Sequence, residues 1–323
     1  MRPTIKNAGI LITGGAGFIG SNLTDRLIEE GAREIVIIDN LFCGRETNLE
    51  SALSKGSILY KDDAEISSSL QYIMERHSID IVFNCATKAL NYSFVNPSNA
   101  FETNVKIAIN LLELQRQKVF STLCHFSSSE VYGTAVYEPM DEKHPRNPTT
   151  AYAAGKAAAD LAVEVYVRMF GLDAFIVRPF NNYGPRQNYR GFLSAVIPLT
   201  AYRIYKGGQP EIYGSGTQIR DFIFVEDTVD AIVKIFPILN SGDSVNISSD
   251  GQLPIEEVIY KVMQCMDYKG PIARKPARPS DVLCHNASND KIKAMINYHL
   301  TSFDEGIQKT VDWYKRDFPR WSV

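Results

Sequence analysis

Gly9-Ile10-Leu11-Ile12-Thr13-Gly14-Gly15-Ala16-Gly17-Phe18-Ile19-Gly20 decides the architecture. Five residues with a strand-like apolar core run into three glycines spaced Gly14, Gly17 and Gly20, and a helical pattern, Phe18 to Glu30, begins inside the loop. Glycines at this junction allow a tight turn and let a pyrophosphate approach backbone N–H groups at a helix N-terminus. A strand before and a helix after is the context that the dinucleotide-binding fingerprint requires.

The same alternation continues along the chain. Strand-like runs fall at Glu34 to Ile38, Ser57 to Tyr60, Asp80 to Asn84, Leu123 to Ser127 and Ala174 to Val177. Helical periodicity fills Ile66 to His77, Pro97 to Gln117 and Ala151 to Phe170. The expected fold class is α/β: a Rossmann-type, doubly wound parallel sheet with helices on both faces. After Arg178-Pro179-Phe180, glycines and prolines break the periodicity, which is expected where the chain enters a smaller substrate-binding lobe. Phe222 to Val225 and Ser244 to Ile247 are strand-like and flank a helical stretch, Asp227 to Leu239. The expected division is therefore interleaved: residues 1–180 with return segments at about 222–248 for the dinucleotide, and 181–323 for the substrate.

The chain has 323 residues, 45% of them hydrophobic, and a net charge of −3, which suits an ordinary globular protein and provides no basic field for nucleic acid. Five widely spaced cysteines, without a Cys-x-x-Cys pair or paired histidines, suggest reduced thiols and no metal site. Neither a signal-peptide core nor a membrane-spanning apolar run is present, so a cytoplasmic location without membrane association is expected.

Asp39 ends the second strand 19 residues after Gly20, where a carboxylate accepts hydrogen bonds from the adenosine ribose. It would repel a 2′-phosphate, which favours NAD over NADP; Arg45, close by, is the cation that would argue the other way. Asp62 suits the adenine edge and Asn104 a ribose, although each alone fits a turn or cap equally well. Phe18, Ile19, Asn40 and Lys88 complete the candidate cofactor set. Tyr152 and Lys156 lie four apart on one helical face, so that the ammonium favours phenolate and Tyr152 becomes a base.

Together these residues resemble the extended short-chain dehydrogenase/reductases, in particular the nucleotide-sugar epimerases, dehydratases and decarboxylases. The likeness runs from the Gly14 loop through Ser128, Tyr152-Ala153-Ala154-Gly155-Lys156, Asn181-Asn182-Tyr183-Gly184-Pro185-Arg186 and Ile219-Arg220-Asp221-Phe222 to Arg278-Pro279-Ser280-Asp281. The chain departs from it at Asn84-Cys85-Ala86-Thr87-Lys88, where many relatives carry histidine, and at Gly155, where serine is commoner. The resemblance implies Tyr152 as catalytic base, Lys156 as its partner and as a nicotinamide-ribose anchor, and Ser128 bonded to the sugar O4. It assigns Asn181, Arg220 and Arg278 to the diphosphate, with Arg186 and Tyr213 also in the substrate site.

The implied chemistry begins with oxidation at C4 of a nucleotide sugar by NAD. Glu130, two residues after Ser128, stands where sugar 4,6-dehydratases carry the base that takes the C5 proton while water leaves C6 and hydride returns there. Ser129 stands where dTDP-glucose dehydratases carry an acid; serine is too weak a proton donor, so Glu130 would serve both steps through water. A 4-epimerase or a UDP-glucuronate decarboxylase shares the oxidation, the latter wanting a cation such as Arg186 or Arg190 near the sugar carboxylate. A non-catalytic NAD-binding protein would be expected to lose the Tyr152/Lys156 pair. The resemblance further implies a homodimer built on the helices Pro97 to Gln117 and Ala151 to Phe170.

Overall fold

Strands β1 (Gly9–Thr13), β2 (Glu34–Ile38), β3 (Ile58–Tyr60), β4 (Ile81–Asn84), β5 (Thr122–Phe126) and β6 (Asp173–Pro179) form one sheet with a last strand, Ser244–Ile247. The computed structural model describes residues 2–277 and 284–321. Across the sheet the order is Ser244–Ile247, β6, β5, β4, β1, β2, β3, with every pairing parallel. The sequence order reverses between β1 and β4, so a crevice opens at their carboxyl ends, where Thr13 and Asn84 are register partners.

Successive strand residues point to opposite faces, and both faces are covered. Ile10, Ile12, Ile35, Ile37, Phe83 and Val177 pack on one side with Leu23 and Leu27 of the helix Phe18–Glu29 and Val229 and Ile232 of the helix Val225–Ile235. Leu11, Val36, Val82 and Leu123 pack on the other with Ile107 and Leu111 of the helix Pro97–Arg116 and Val163 of the helix Ala151–Phe170. This explains why the strands read as unbroken apolar runs.

The second half departs from the sequence expectation in detail. Phe222–Phe224 does not join the large sheet; it pairs with Asn181–Tyr183, and the helix that follows begins at Val225, two residues before the periodicity suggested. Acidic Glu226 and Asp227 in its first turn suit the positive end of the helix dipole. Short strands pair Glu211–Tyr213 with Ala273–Lys275, and Ile219–Arg220 with both Leu253–Pro254 and Cys284–His285. A separate aromatic core, including Tyr183, Tyr189, Phe222, Phe224, Tyr314 and Phe318, fills this half. Among the described residues, no helix is long and apolar enough to cross a membrane.

Candidate active site

Two cavities share the walls at Phe18, Ile19, Cys85 and Thr87 and therefore adjoin. The smaller, about 260 Å³, lies over the glycine loop. There the sequence forces the backbone into a shape only glycine tolerates: Gly14 has φ +69°, and a Cβ on Gly20 would stand 2.3 Å from the Gly14 carbonyl oxygen. Gly17 caps the helix Phe18–Glu29 without a side-chain hydrogen bond, so the helix offers an anion its first-turn N–H groups and dipole.

Asp39 is buried at the rim of this cavity, its Oδ2 accepting from Ala16 N at 2.9 Å and its Oδ1 from Leu41 N at 2.8 Å. Burial pushes its carboxyl above the ordinary value, while those N–H groups pull it down. Asn40, Asp62 and Lys88 also line the cavity. Lys88 Nζ sits 4.3 Å from the centre of the Phe42 ring and 3.9 Å from a Glu65 oxygen. Arg45 turns elsewhere, toward Asp317 at 3.5 Å and over the Tyr189 ring at 4.3 Å. The glycine cradle, the helix N-terminus and the buried ribose-side carboxylate together fit NAD without a 2′-phosphate.

The larger cavity, about 470 Å³, runs from Ser128, Glu130, Tyr152 and Lys156 to Asn181, Tyr213 and Arg220. Ser128 caps the short 3-10 helix Ser129–Tyr132, its Oγ accepting from Glu130 N at 3.2 Å. Tyr152 rides on the first turn of the helix Ala151–Phe170, which Thr150 caps through Ala153 N. Burial raises the Tyr152 phenol above its ordinary value, the Ser128 and Thr87 hydroxyls lower it, and the Glu130 charge raises it. Lys156 is buried, donates from Nζ to the Phe126 carbonyl at 2.8 Å, and is pushed down to about 8, chiefly by burial. At the far end Asn181 Nδ2 donates to the Asp221 carbonyl at 3.2 Å, Arg220 to the Ile219 carbonyl at 2.9 Å, and Tyr213 to Glu211 at 2.8 Å.

Several sequence expectations are corrected by this geometry. The groups that dominate at the Tyr152 hydroxyl are burial and the neighbours Ser128, Glu130 and Thr87, not Lys156. Asn104 faces neither cavity: it is buried, accepts from Thr87 Oγ1 at 2.7 Å and donates to the Ala100 and Tyr152 carbonyls, so it clamps helix to helix where a ribose contact was expected. Ser129 is buried off the cavity wall that Ser128 and Glu130 line. Arg186 also lies off the wall; its guanidinium is held by Asp25 at 2.6 Å and the Ser21 carbonyl at 2.9 Å. Arg190 does not line the cavity either. Arg278 falls outside the described residues. Thr87, beside the Tyr152 hydroxyl, was not singled out from sequence; the departure from histidine in its segment was the available signal.

Residues 10–248 match the NAD dependent epimerase/dehydratase family. The chain belongs to this family. It is 29% identical over 308 residues to a UDP-glucose 4-epimerase of Mycolicibacterium smegmatis, covering 94% of this chain and 98% of the relative. It is 31% identical over 334 residues to a dTDP-glucose 4,6-dehydratase of Mycobacterium tuberculosis, covering 97% and 94%. The crystal structure of a dTDP-glucose 4,6-dehydratase from Streptomyces venezuelae, solved with NAD bound, superposes with a TM-score of 0.91 at 27% identity, covering 97% and 99%. This epimerase/dehydratase family member is thus an NAD-dependent enzyme, and relatives of both reaction types match it to a similar degree.

Proposed function

We propose that the protein is an NAD-dependent nucleotide-sugar 4,6-dehydratase. The observation that carries the reading is Glu130: it lines the cavity beside Ser128 and Tyr152, and its charge acts on the Tyr152 hydroxyl. The other acid on that wall among the described residues, Glu211, is engaged by Arg203 at 2.6 Å.

In this reading Ser128 and Tyr152 hold the sugar O4, and Tyr152 takes its proton. Bound NAD supplies the redox chemistry, receiving hydride from C4 and returning it at C6. Lys156 holds positive charge beneath the site and anchors the nicotinamide ribose. The C4 ketone acidifies H5; Glu130 removes that proton and passes it to the departing C6 hydroxyl, and C5 later gains a proton from solvent in place of the one Tyr152 took from O4, so the net loss is water. Asn181, Arg220 and Tyr213, at the other end of the cavity, hold the nucleotide diphosphate. The larger cavity adds walls from residues 179–255 to those of the first half, whereas among the described residues the smaller is lined by residues 14–107. This supports assigning residues 1–180, with the return at about 222–248, to NAD and 181–323 to the sugar nucleotide.

A 4-epimerase is the second reading, favoured by position 129, where a serine buried off the cavity wall offers the departing water no acid. A decarboxylase has less support, because Arg186 is bound to Asp25 and Arg190 is off the wall. Incubation with a panel of nucleotide sugars, followed by product mass, tests the reading: loss of water is expected, and unchanged mass with altered NMR couplings would replace it with epimerisation. Glu130→Gln is expected to lower dehydration by at least about 100-fold, in the range of a lost general base. A fully active Glu130→Gln dehydratase would refute the role.

A further inference from the structure

Beneath the reacting groups, the sheet is crossed by a seam of buried polar side chains. Ala86 N donates to Thr13 Oγ1 at 3.3 Å, Thr13 Oγ1 to Asn84 Oδ1 at 2.7 Å, and Asn84 Nδ2 to His125 Nδ1 at 3.0 Å. The His125 proton therefore sits on Nε2, which faces Asp160 Oδ1 at 3.7 Å. Asp160 Oδ2 accepts three hydrogen bonds, from Ser127 Oγ at 2.9 Å and from Arg178 Nε and Nη2 at 3.0 Å each. Arg178 Nη1 continues to Tyr132 Oη at 3.1 Å, and Tyr132 donates to Asn246 at 2.8 Å.

Asp160 lies four residues after Lys156, on the same face of the helix, and is fully buried. The two side chains grip consecutive residues at the end of β5: Lys156 holds the Phe126 carbonyl and Asp160 the Ser127 hydroxyl. The next residue is Ser128. One buried carboxylate thus serves two buried cations, Arg178 by direct contact and Lys156 from one turn away.

We propose that Asp160 is a positioning residue of the oxidation, acting as counter-charge to the Lys156 ammonium and, through Ser127, as the anchor that presents Ser128 to Tyr152. The inference rests on the C4 oxidation in the proposed function and not on the steps after it. The charged and titratable groups around Asp160 are Arg178, His125, Tyr132, Arg146, Lys156 and Tyr152, whose phenol its charge also raises. Those acting on Lys156 are Asp160 and the Cys85 thiol, which burial keeps protonated. His125 stays neutral, pushed well below its ordinary value by burial, Lys156 and Arg178. Without the Asp160 carboxylate both buried cations lose their counter-charge, and Lys156 is the one able to release a proton.

The test is an NMR titration of 13C-lysine-labelled protein, with the Lys156 signal assigned by Lys156→Met. In the wild type it is expected to titrate near 8. In Asp160→Asn the midpoint is expected to move to lower pH by about 1, with the alkaline limb of kcat moving alongside. A purely structural carboxylate would lower Tm and leave the midpoint in place, and that result overturns the proposal. Should Asp160→Asn fail to fold, Ser127→Ala decides: kcat about fivefold lower with unchanged NAD affinity is expected from loss of one hydrogen bond, and wild-type kcat overturns it. The titration does not need a known substrate, so a wrong reaction assignment and a wrong role for Asp160 give different results.

Discussion

At Tyr152 two effects oppose each other, burial raising the phenol and the Ser128 and Thr87 hydroxyls lowering it. The base works deprotonated, so its active fraction grows with pH and levels off only above its pKa. Removing the Ser128 hydroxyl takes away a lowering influence and moves the acid limb to higher pH. Ser128→Ala is therefore expected to lose kcat/KM at neutral pH, about tenfold if that limb moves up by about 1 in pH, with the deficit shrinking as pH rises. A pH–rate profile checks this, and a deficit constant across pH would reduce Ser128 to a substrate contact. The i, i+4 spacing drew attention to Tyr152 and Lys156 in the sequence, and the family resemblance drew it to Glu130; all three line the larger cavity. Asp160 and Thr87 were not legible, because one acts across the sheet and the other from a loop after β4. Arg186 was misread because a charge in a motif does not reveal where its side chain points; Asp25, far away in sequence, captures it.

At the level of elements, the close crossing of the helices Pro97–Arg116 and Ala151–Phe170 turns on Gly155. Sequence reading treats this glycine as a small loss of helix propensity. In the structure a Cβ there would meet the Phe101 carbonyl oxygen at 2.7 Å and its Cα at 2.9 Å. Gly155→Ala gains about 1 kcal/mol in propensity but forces two backbones apart, at about 1–3 kcal/mol. Because the obstacle is backbone and cannot rotate away, the cost is expected to win, with Tm lower by about 3 °C. A higher Tm on thermal unfolding would show that propensity decides. The long elements were legible because unbroken apolar runs such as Gly9–Thr13 and the helical periodicity of 20-residue helices are strong signals. Pairs such as Ile219–Arg220 with Leu253–Pro254 were not, because a two-residue strand has no period and its partner lies more than thirty residues away.

For the whole molecule, the remaining question is what covers the outer face of that helix pair. Leu161, Val165 and Met169 recur every fourth residue and so form one stripe, exposed at 49%, 39% and 66%. Phe101, 38% exposed, is on the partner helix Pro97–Arg116. We propose that this face is the homodimer interface. In an isologous two-fold contact the same stripe meets its own copy, so every substitution acts twice. Glutamates at Leu161 and Met169 would place four carboxylates in one apolar seam, and each buried unpaired charge costs several kcal/mol. The Leu161→Glu, Met169→Glu protein is expected to be a folded monomer in light scattering, with the circular dichroism and NAD affinity of the wild-type dimer, since the cofactor cavity is lined by residues 14–107 and not by this stripe. A wild-type protein that is already monomeric at micromolar concentration would assign the stripe to some other partner; a double variant that stays dimeric would move the interface to another face.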